Sequence, residues 1–159
     1  MQQSMNSGAN SMDLPNDFKE LLELFNKHKV EYLVVGGYAL AFHGAPRFTR
    51  DIDLFVRPTT DNAVRVLAAL DEFGFGSLNL SQEDFTTPGR VVQLGVAPVR
   101  IDILTRVTGV PWEKAEAGKA SGFYGDVPVF FIGRDDFIAN KRSTGRTKDA
   151  ADIEALGAL

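Results

Sequence analysis

Hydrophobic residues recur with helical spacing in some segments of the chain and cluster or alternate in others. The first readable segment begins at Asp17, which together with Glu20 three residues later is typical of a helix N-cap and capping box. The segment that follows is apolar at helical spacing, at Phe18, Leu21, Leu22 and Phe25. This spacing predicts an amphipathic helix.

Short apolar or alternating runs predict the strands, and helical spacing with capping residues predicts the other helices. The predicted strands are residues 32–35, 51–56, 91–96, 99–105 and 127–132. The predicted helices are residues 38–43, a helix capped at 58–61 that runs to about Phe73, one helix before the last strand, and residues 135–142 and 147–156.

The order of these elements predicts the fold class. The strands at 91–96 and 99–105 are joined at Ala97-Pro98 with no helix between them, which is typical of an antiparallel hairpin. A hairpin argues against a purely parallel, doubly wound sheet. We therefore predict an α/β (α+β) fold in which a mixed β-sheet of about 4–5 strands is flanked by helices.

Composition and charge exclude several classes of protein. The chain has 159 residues, of which 44% are hydrophobic and 24% charged, as in an average soluble globular domain. It has no cysteine, which excludes disulfides, a thiolate nucleophile and a Cys-ligated zinc site. Its formal net charge of −4 is not the basic field typical of nucleic-acid-binding proteins.

The N-terminus is polar and lacks the basic start and apolar core of a secretory signal. No apolar run approaches the ~20 residues that a membrane-spanning helix needs, so we expect a cytoplasmic protein without a membrane partner. We expect residues 1–13 to form a disordered tail and residues 14–159 to form one domain that ends in a pair of helices.

The glycine pair after the first predicted strand is the first segment suited to chemistry. At Gly36-Gly37 the backbone can approach a ligand closely, and the start of a helix offers N–H groups to an anion such as phosphate. The alternative is that these glycines serve only the turn from strand to helix.

Acidic residues on two predicted strands form the other candidate segments. Asp51 and Asp53 lie on one face of their strand, where they repel each other unless a cation or an arginine neutralises them. Mg²⁺ prefers such carboxylate oxygens, although two solvated acids on an exposed face are the alternative. Asp102 completes a cluster of three carboxylates if its strand pairs with the first, or else it pairs with Arg100 or Arg106 at a sheet surface.

The spacing of these segments resembles the signature of the DNA polymerase β-type nucleotidyltransferase superfamily. The glycine pair is followed by 13 residues, then by Asp51-x-Asp53 and later by an aspartate between apolar residues. Residues 36–54, GGYALAFHGAPRFTRDIDL, resemble the small bacterial branch of minimal nucleotidyltransferases and AbiEii-type toxins, and residues 138–156, IANKRSTGRTKDAADIEAL, are similar to the same branch's ending. Gly37 departs from the commoner Gly-Ser pair, although Gly-Gly occurs in the AbiEii-like branch.

The resemblance implies a nucleotidyltransferase fold and an enzyme that moves a nucleoside monophosphate from an NTP to a hydroxyl acceptor. The acceptor would be a protein, a tRNA or a small molecule. The implied catalytic and metal-binding residues are Asp51, Asp53 and Asp102, which would hold two Mg²⁺ ions, with Mn²⁺ able to substitute. Asp102 would also orient or deprotonate the acceptor hydroxyl.

The resemblance also implies a set of nucleotide-binding residues: Gly36, Gly37, Arg47, Thr49, Arg50 and Lys141. The glycine pair would cradle the triphosphate through backbone N–H groups, and Lys141 would reach the β- and γ-phosphates. Either Arg47 or Arg50 would face the phosphates or balance the carboxylates.

The implied partners are the NTP and, if the chain serves a toxin–antitoxin or abortive-infection system, a cognate antitoxin or another partner protein. The net charge does not indicate tRNA, although one local cluster leaves it open. This C-terminal basic cluster consists of Lys141, Arg142, Arg146 and Lys148. It is alternatively a solvated surface neutralised by Asp149 and Asp152. An alternative function is an inactive module of the same fold that binds a nucleotide or a partner, and the oligomeric state stays open.

Overall fold

The computed structural model of the protein describes residues 16–45, 49–95 and 100–157, apart from the side chain of Ser77. Within these residues, the helices are α1 (Asn16–Lys27), α2 (Gly36–Phe42), α3 (Thr60–Leu70), α4 (Trp112–Ala117), α5 (Arg134–Thr144) and α6 (Thr147–Ala155). The strands are β1 (Tyr32–Val35), β2 (Asp51–Val56), β3 (Val91–Leu94), β4 (Arg100–Leu104), β5 (Ala120–Tyr124) and β6 (Val127–Phe131). The predicted tail and the predicted hairpin turn at Ala97-Pro98 lie outside the described residues.

The strands form one mixed sheet in the order β3-β4-β2-β1-β6-β5. At its centre, β2 pairs antiparallel with β1 and parallel with β4, while β1 also pairs parallel with β6. Antiparallel hairpins, β3–β4 and β5–β6, form the two edges. The predicted mixed α/β class is confirmed, but the sheet has six strands where 4–5 were predicted.

The strand missing from the prediction is β5. Its sequence, Ala-Ser-Gly-Phe-Tyr, has no apolar run and places a glycine at its centre, which weakens any strand signal. A Cβ on Gly122 would lie 2.6 Å from Cε1 of Phe42 and 2.9 Å from Cε2 of Phe131. The glycine is therefore needed where two aromatic rings pack against the strand, and this tertiary contact was not visible in the local pattern.

Alternation along β2 separates the core from the acidic face. Ile52 and Leu54 are completely buried, whereas Asp51 and Asp53 are partly exposed on the opposite face of the strand. The buried side joins one hydrophobic cluster that includes Phe18 and Leu22 of α1. The opposite face of β2 leaves the carboxylates of Asp51 and Asp53 accessible to a ligand.

Differences at the helix ends have local causes. Helix α3 begins after the Thr59 cap, whose side chain accepts a hydrogen bond from the Asn62 N–H. It ends at Leu70 rather than near Phe73, and the chain continues through short turns at Asp71–Phe75, Gly76–Leu78 and Gln82–Phe85. Gly74, with a φ of 109°, breaks the helical backbone there. None of the helices in the described part of the chain is long and apolar enough to cross a membrane.

Candidate active site

The centre of the sheet places two carboxylates side by side. Asp53 of β2 is in register with Asp102 of the parallel strand β4, and Val35 of β1 lies on its other side. Asp51, two residues before Asp53, is in register with Arg100. The structure therefore brings together the three acidic residues that the sequence singled out.

The environment of Asp53 disfavours its negative charge. Burial first, and then the charges of Asp102 and Asp51, raise the pKa of Asp53 from 3.8 to about 6. The ammonium of Lys141 opposes them. A divalent cation would relieve the same repulsion, because it places positive charge among these carboxylates.

Gly36 is required by its position beside Asp53. Its φ is +70°, and a Cβ built on it would lie 2.1 Å from Oδ2 of Asp53. Gly37 is packed against Thr49, whose Cβ would be 3.0 Å from a Cβ at position 37. The two glycines thus allow the backbone at the start of α2 to lie close to the acidic face. This agrees with the prediction that the backbone at this turn can approach a ligand closely.

The residues between the glycines and the acids are placed differently. Thr49 Oγ1 donates a hydrogen bond to the Asp51 carbonyl (3.1 Å) and accepts one from the Asp51 N–H (3.3 Å). These bonds fix the backbone at the start of β2. Arg50 is exposed beside them, and Arg47 lies outside the described residues.

A cleft of about 370 Å³ opens over Asp53 and Asp102. Gly36 and Lys141 also line it, so one cleft brings together an acidic pair, the first glycine of α2 and a cation. Arg106 adds a further positive group to its wall. Among the described residues, the cleft's lining does not include Gly37, Asp51, Thr49 or Arg50.

Lys141 is held at the cleft by a buried carboxylate. Its Nζ lies 3.5 Å from Oδ1 of Asp149, which is completely buried. The other oxygen of Asp149 accepts hydrogen bonds from Thr144 Oγ1 and from Nε of Arg146, the latter at 2.7 Å. Although burial favours the neutral acid, these hydrogen bonds and the charge of Lys141 hold the pKa of Asp149 below its ordinary value.

Sequence reasoning treated Asp149 only as a neutralising surface residue. The structure shows instead that it joins the end of α5 to the first turn of α6 behind Lys141. Asp149 follows Lys141 by eight residues, but helical spacing does not relate the two, because Gly145, with a φ of +67°, separates α5 from α6. No local signal identified this contact.

Arg100 is the second residue whose importance emerges from the geometry. Its guanidinium contacts both Asp51 and Asp102. Asp102 is therefore a member of the acidic cluster and also the partner of an arginine, the two alternatives that the sequence left open. The signal was present in the sequence, since residues 100 and 102 lie on the same face of a strand.

The donor set suits a hard divalent cation. Carboxylate oxygens are the ligands that Mg²⁺ takes in proteins, and Gly36 leaves Oδ2 of Asp53 uncovered where any other residue would place a Cβ. No group of three or more His, Cys, Asp or Glu side chains within the described ranges is arranged to hold a metal ion. In this arrangement two of the three carboxylates face Arg100.

Fold and site are both those expected of a nucleotidyltransferase, and comparison with known families shows that the chain belongs to this class. A model of the family described as nucleotidyl transferase AbiEii toxin, type IV TA system, matches residues 21–144. The chain belongs to this family of nucleotidyl-transfer enzymes. No curated protein matches its sequence.

Solved structures with the same fold include several nucleotidyltransferases. A Thermotoga maritima protein assigned to that class has 12% identity and a TM-score of 0.61, with 87% of this chain and 89% of that chain covered. The lincosamide antibiotic adenylyltransferase LnuA, bound to lincomycin, has 16% identity and a TM-score of 0.56, with 91% and 97% covered. The antibiotic-resistance factor ANT(2'')-Ia has 15% identity and a TM-score of 0.55, with 89% and 80% covered. These similarities confirm the predicted nucleotidyltransferase fold.

Proposed function

We propose that the chain transfers a nucleoside monophosphate from an NTP to a hydroxyl acceptor at the cleft over Asp53 and Asp102. The observation that carries this proposal is that the acidic pair Asp53 and Asp102, Gly36 at the start of α2, and Lys141 line one cleft. Acids alone would suit many metal sites. A cation and a close backbone approach opposite them suit a triphosphate.

Each group has a role in this reaction. Asp51, Asp53 and Asp102 would hold Mg²⁺, which supplies a clamp for the attacking and leaving oxygens of an in-line displacement. Asp102 orients the acceptor hydroxyl and accepts its proton as the oxygen attacks the α-phosphorus and pyrophosphate leaves. Lys141 and the N–H groups at Gly36-Gly37 bind the leaving phosphates.

The proposal also covers the class of acceptor and the biological role of the chain. The family is one of toxins in type IV toxin–antitoxin systems, which supports a toxin role with a cognate antitoxin. ANT(2'')-Ia was solved with adenylyl-2''-tobramycin, and LnuA with lincomycin, so this fold accommodates small acceptors as well. We propose a hydroxyl of a protein, a tRNA or a small molecule as the acceptor.

Calorimetric titration of the four NTPs, with Mg²⁺ and with EDTA, tests the nucleotide site. We expect Mg²⁺-dependent binding of at least one triphosphate by the wild type. Asp53→Asn should weaken it at least about tenfold, because it removes a charged ligand at nearly constant volume. Asp126→Asn is the matched control, since Asp126 is an exposed aspartate that contacts Lys19.

Binding that is equal in the wild type and Asp53→Asn would reject the proposed site. Absence of binding to every triphosphate, in a protein shown to be folded, would favour the inactive partner-binding module instead. If binding is found, labelled nucleotide incubated with cell extract identifies which acceptor receives the label.

A further inference from the structure

Arg100 occupies the position between two of the carboxylates at the acidic face. Its Nε lies 3.0 Å from Oδ1 of Asp102, and its Nη2 lies 3.3 Å from Oδ2 of the same residue. The same Nη2 is 3.2 Å from Oδ2 of Asp51. One guanidinium therefore engages both oxygens of Asp102 and one oxygen of Asp51.

These are the oxygens that the proposed function needs for a divalent cation. A guanidinium and a divalent cation that seek the same carboxylate oxygens compete, because the sites overlap and the two cations repel each other. The Asp102 side chain is only 12% exposed and both of its oxygens contact Arg100, so a cation that binds Asp102 has to displace the guanidinium from at least one of them. The Arg100 side chain is 35% exposed, so water can replace its hydrogen bonds if it swings away.

Lys141 does not share this role. Its side chain is 14% exposed, and its ammonium is paired with Asp149 of α6. Arg100, in contrast, directly contacts one acid of β2 and one acid of β4.

We propose that Arg100 competes with the divalent cation for Asp51 and Asp102 and so weakens metal binding by the free protein. This inference rests on the proposed function, because it assumes that these carboxylates hold the metal. In the metal-free protein, Arg100 offsets the mutual repulsion of the three acids. When the cation binds, Arg100 releases at least one carboxylate.

Titration with Mn²⁺, with the free ion measured by electron paramagnetic resonance, tests this inference without an activity assay. Arg100→Gln should bind Mn²⁺ about tenfold more tightly than the wild type, since a competing unit charge is removed from the site. Arg90→Gln is the matched control: it makes the same change in net charge at an arginine that contacts Asp84. Its affinity for Mn²⁺ should equal that of the wild type.

Arg100→Lys provides a second variant in case the glutamine variant fails to fold. Lysine keeps the charge but cannot engage both carboxylates through a planar fork, so its Mn²⁺ affinity should also exceed that of the wild type. Equal or weaker affinity in the folded Arg100 variants would overturn the inference, and weaker affinity would mean that Arg100 arranges the carboxylates for the metal.

Asp53→Asn separates this inference from the proposed function. If Mn²⁺ binding is lost in Asp53→Asn but is unchanged in Arg100→Gln, only the role of Arg100 is rejected. If Asp53→Asn binds Mn²⁺ as the wild type does, or if the wild type binds none, the proposed metal site fails and the inference fails with it.

Discussion

A single glycine determines how close the start of α2 comes to the acidic pair. Gly36 combines a φ of +70° with an ideal Cβ position 2.1 Å from Oδ2 of Asp53. A left-handed backbone alone costs a non-glycine residue about 1–2 kcal/mol. The overlap at Gly36 adds a second cost, because either α2 or the carboxylate must move.

Gly36→Ala is therefore expected to lower the free energy of unfolding by about 3 kcal/mol or more. It should also abolish Mg²⁺-dependent triphosphate binding. Gly89→Ala separates the two costs, because Gly89 has a φ of +79° but no atom within 4 Å of its ideal Cβ. Gly89→Ala should lower the free energy of unfolding by about 1 kcal/mol and leave triphosphate binding unchanged. Urea unfolding and calorimetry measure both, and equal losses in the two variants would contradict the overlap argument.

At the scale of elements, the contact between α5 and α6 depends on a buried carboxylate. Asp149 accepts hydrogen bonds from Thr144 and Arg146 and forms an ion pair with Lys141. One residue of α6 therefore holds three side chains that line the cleft. Hydrogen bonds to charged groups contribute about 1.5–3 kcal/mol each when a partner is lost. The position of Lys141 at the cleft follows from this arrangement.

Asp149→Asn should lower the free energy of unfolding by about 2 kcal/mol at neutral pH and weaken triphosphate binding through Lys141. The pKa of Asp149 is lowered in the folded state, so its stabilisation is present above the unfolded pKa of about 3.9. It is lost as pH falls through the folded pKa. Urea unfolding at neutral and strongly acidic pH should show the difference from wild type shrinking in acid.

Asp126→Asn controls for the loss of an aspartate at the surface, and it should change stability by less than about 1 kcal/mol. A difference between the wild type and Asp149→Asn that stays constant across this pH range would show that the carboxylate charge is not what stabilises the contact.

Elements with a clear local period were predictable from the sequence, and contacts between elements were not. The alternation in 51–56 predicted both the strand β2 and the face that carries Asp51 and Asp53. In contrast, Gly122 of β5 is explained only by the rings of Phe42 and Phe131. The site shows the same difference. The spacing of residues along the sequence indicated the three acids, whereas the contact of Lys141 with the buried Asp149 depends on how α5 and α6 pack.

At the scale of the whole molecule, the charge distribution bears on the acceptor. The net charge is −4, so long-range attraction to nucleic acid is weak. Within the C-terminal basic cluster, Lys141 and Arg146 both lie beside the buried carboxylate of Asp149. Asp149 therefore offsets part of the positive charge that this cluster would otherwise present to a phosphate backbone.

We accordingly expect unfractionated tRNA to bind with a Kd weaker than about 10 μM at about 150 mM salt, in the range of non-specific contacts. Fluorescence anisotropy with labelled tRNA over a series of salt concentrations measures this. Lys148→Gln should weaken binding about equally for all tRNAs and reduce the salt slope, because Lys148 would contact phosphate rather than bases. A Kd below about 1 μM at the same salt would contradict the charge argument and favour a tRNA among the proposed acceptors. Weak binding instead favours a protein or small-molecule hydroxyl among the proposed acceptors.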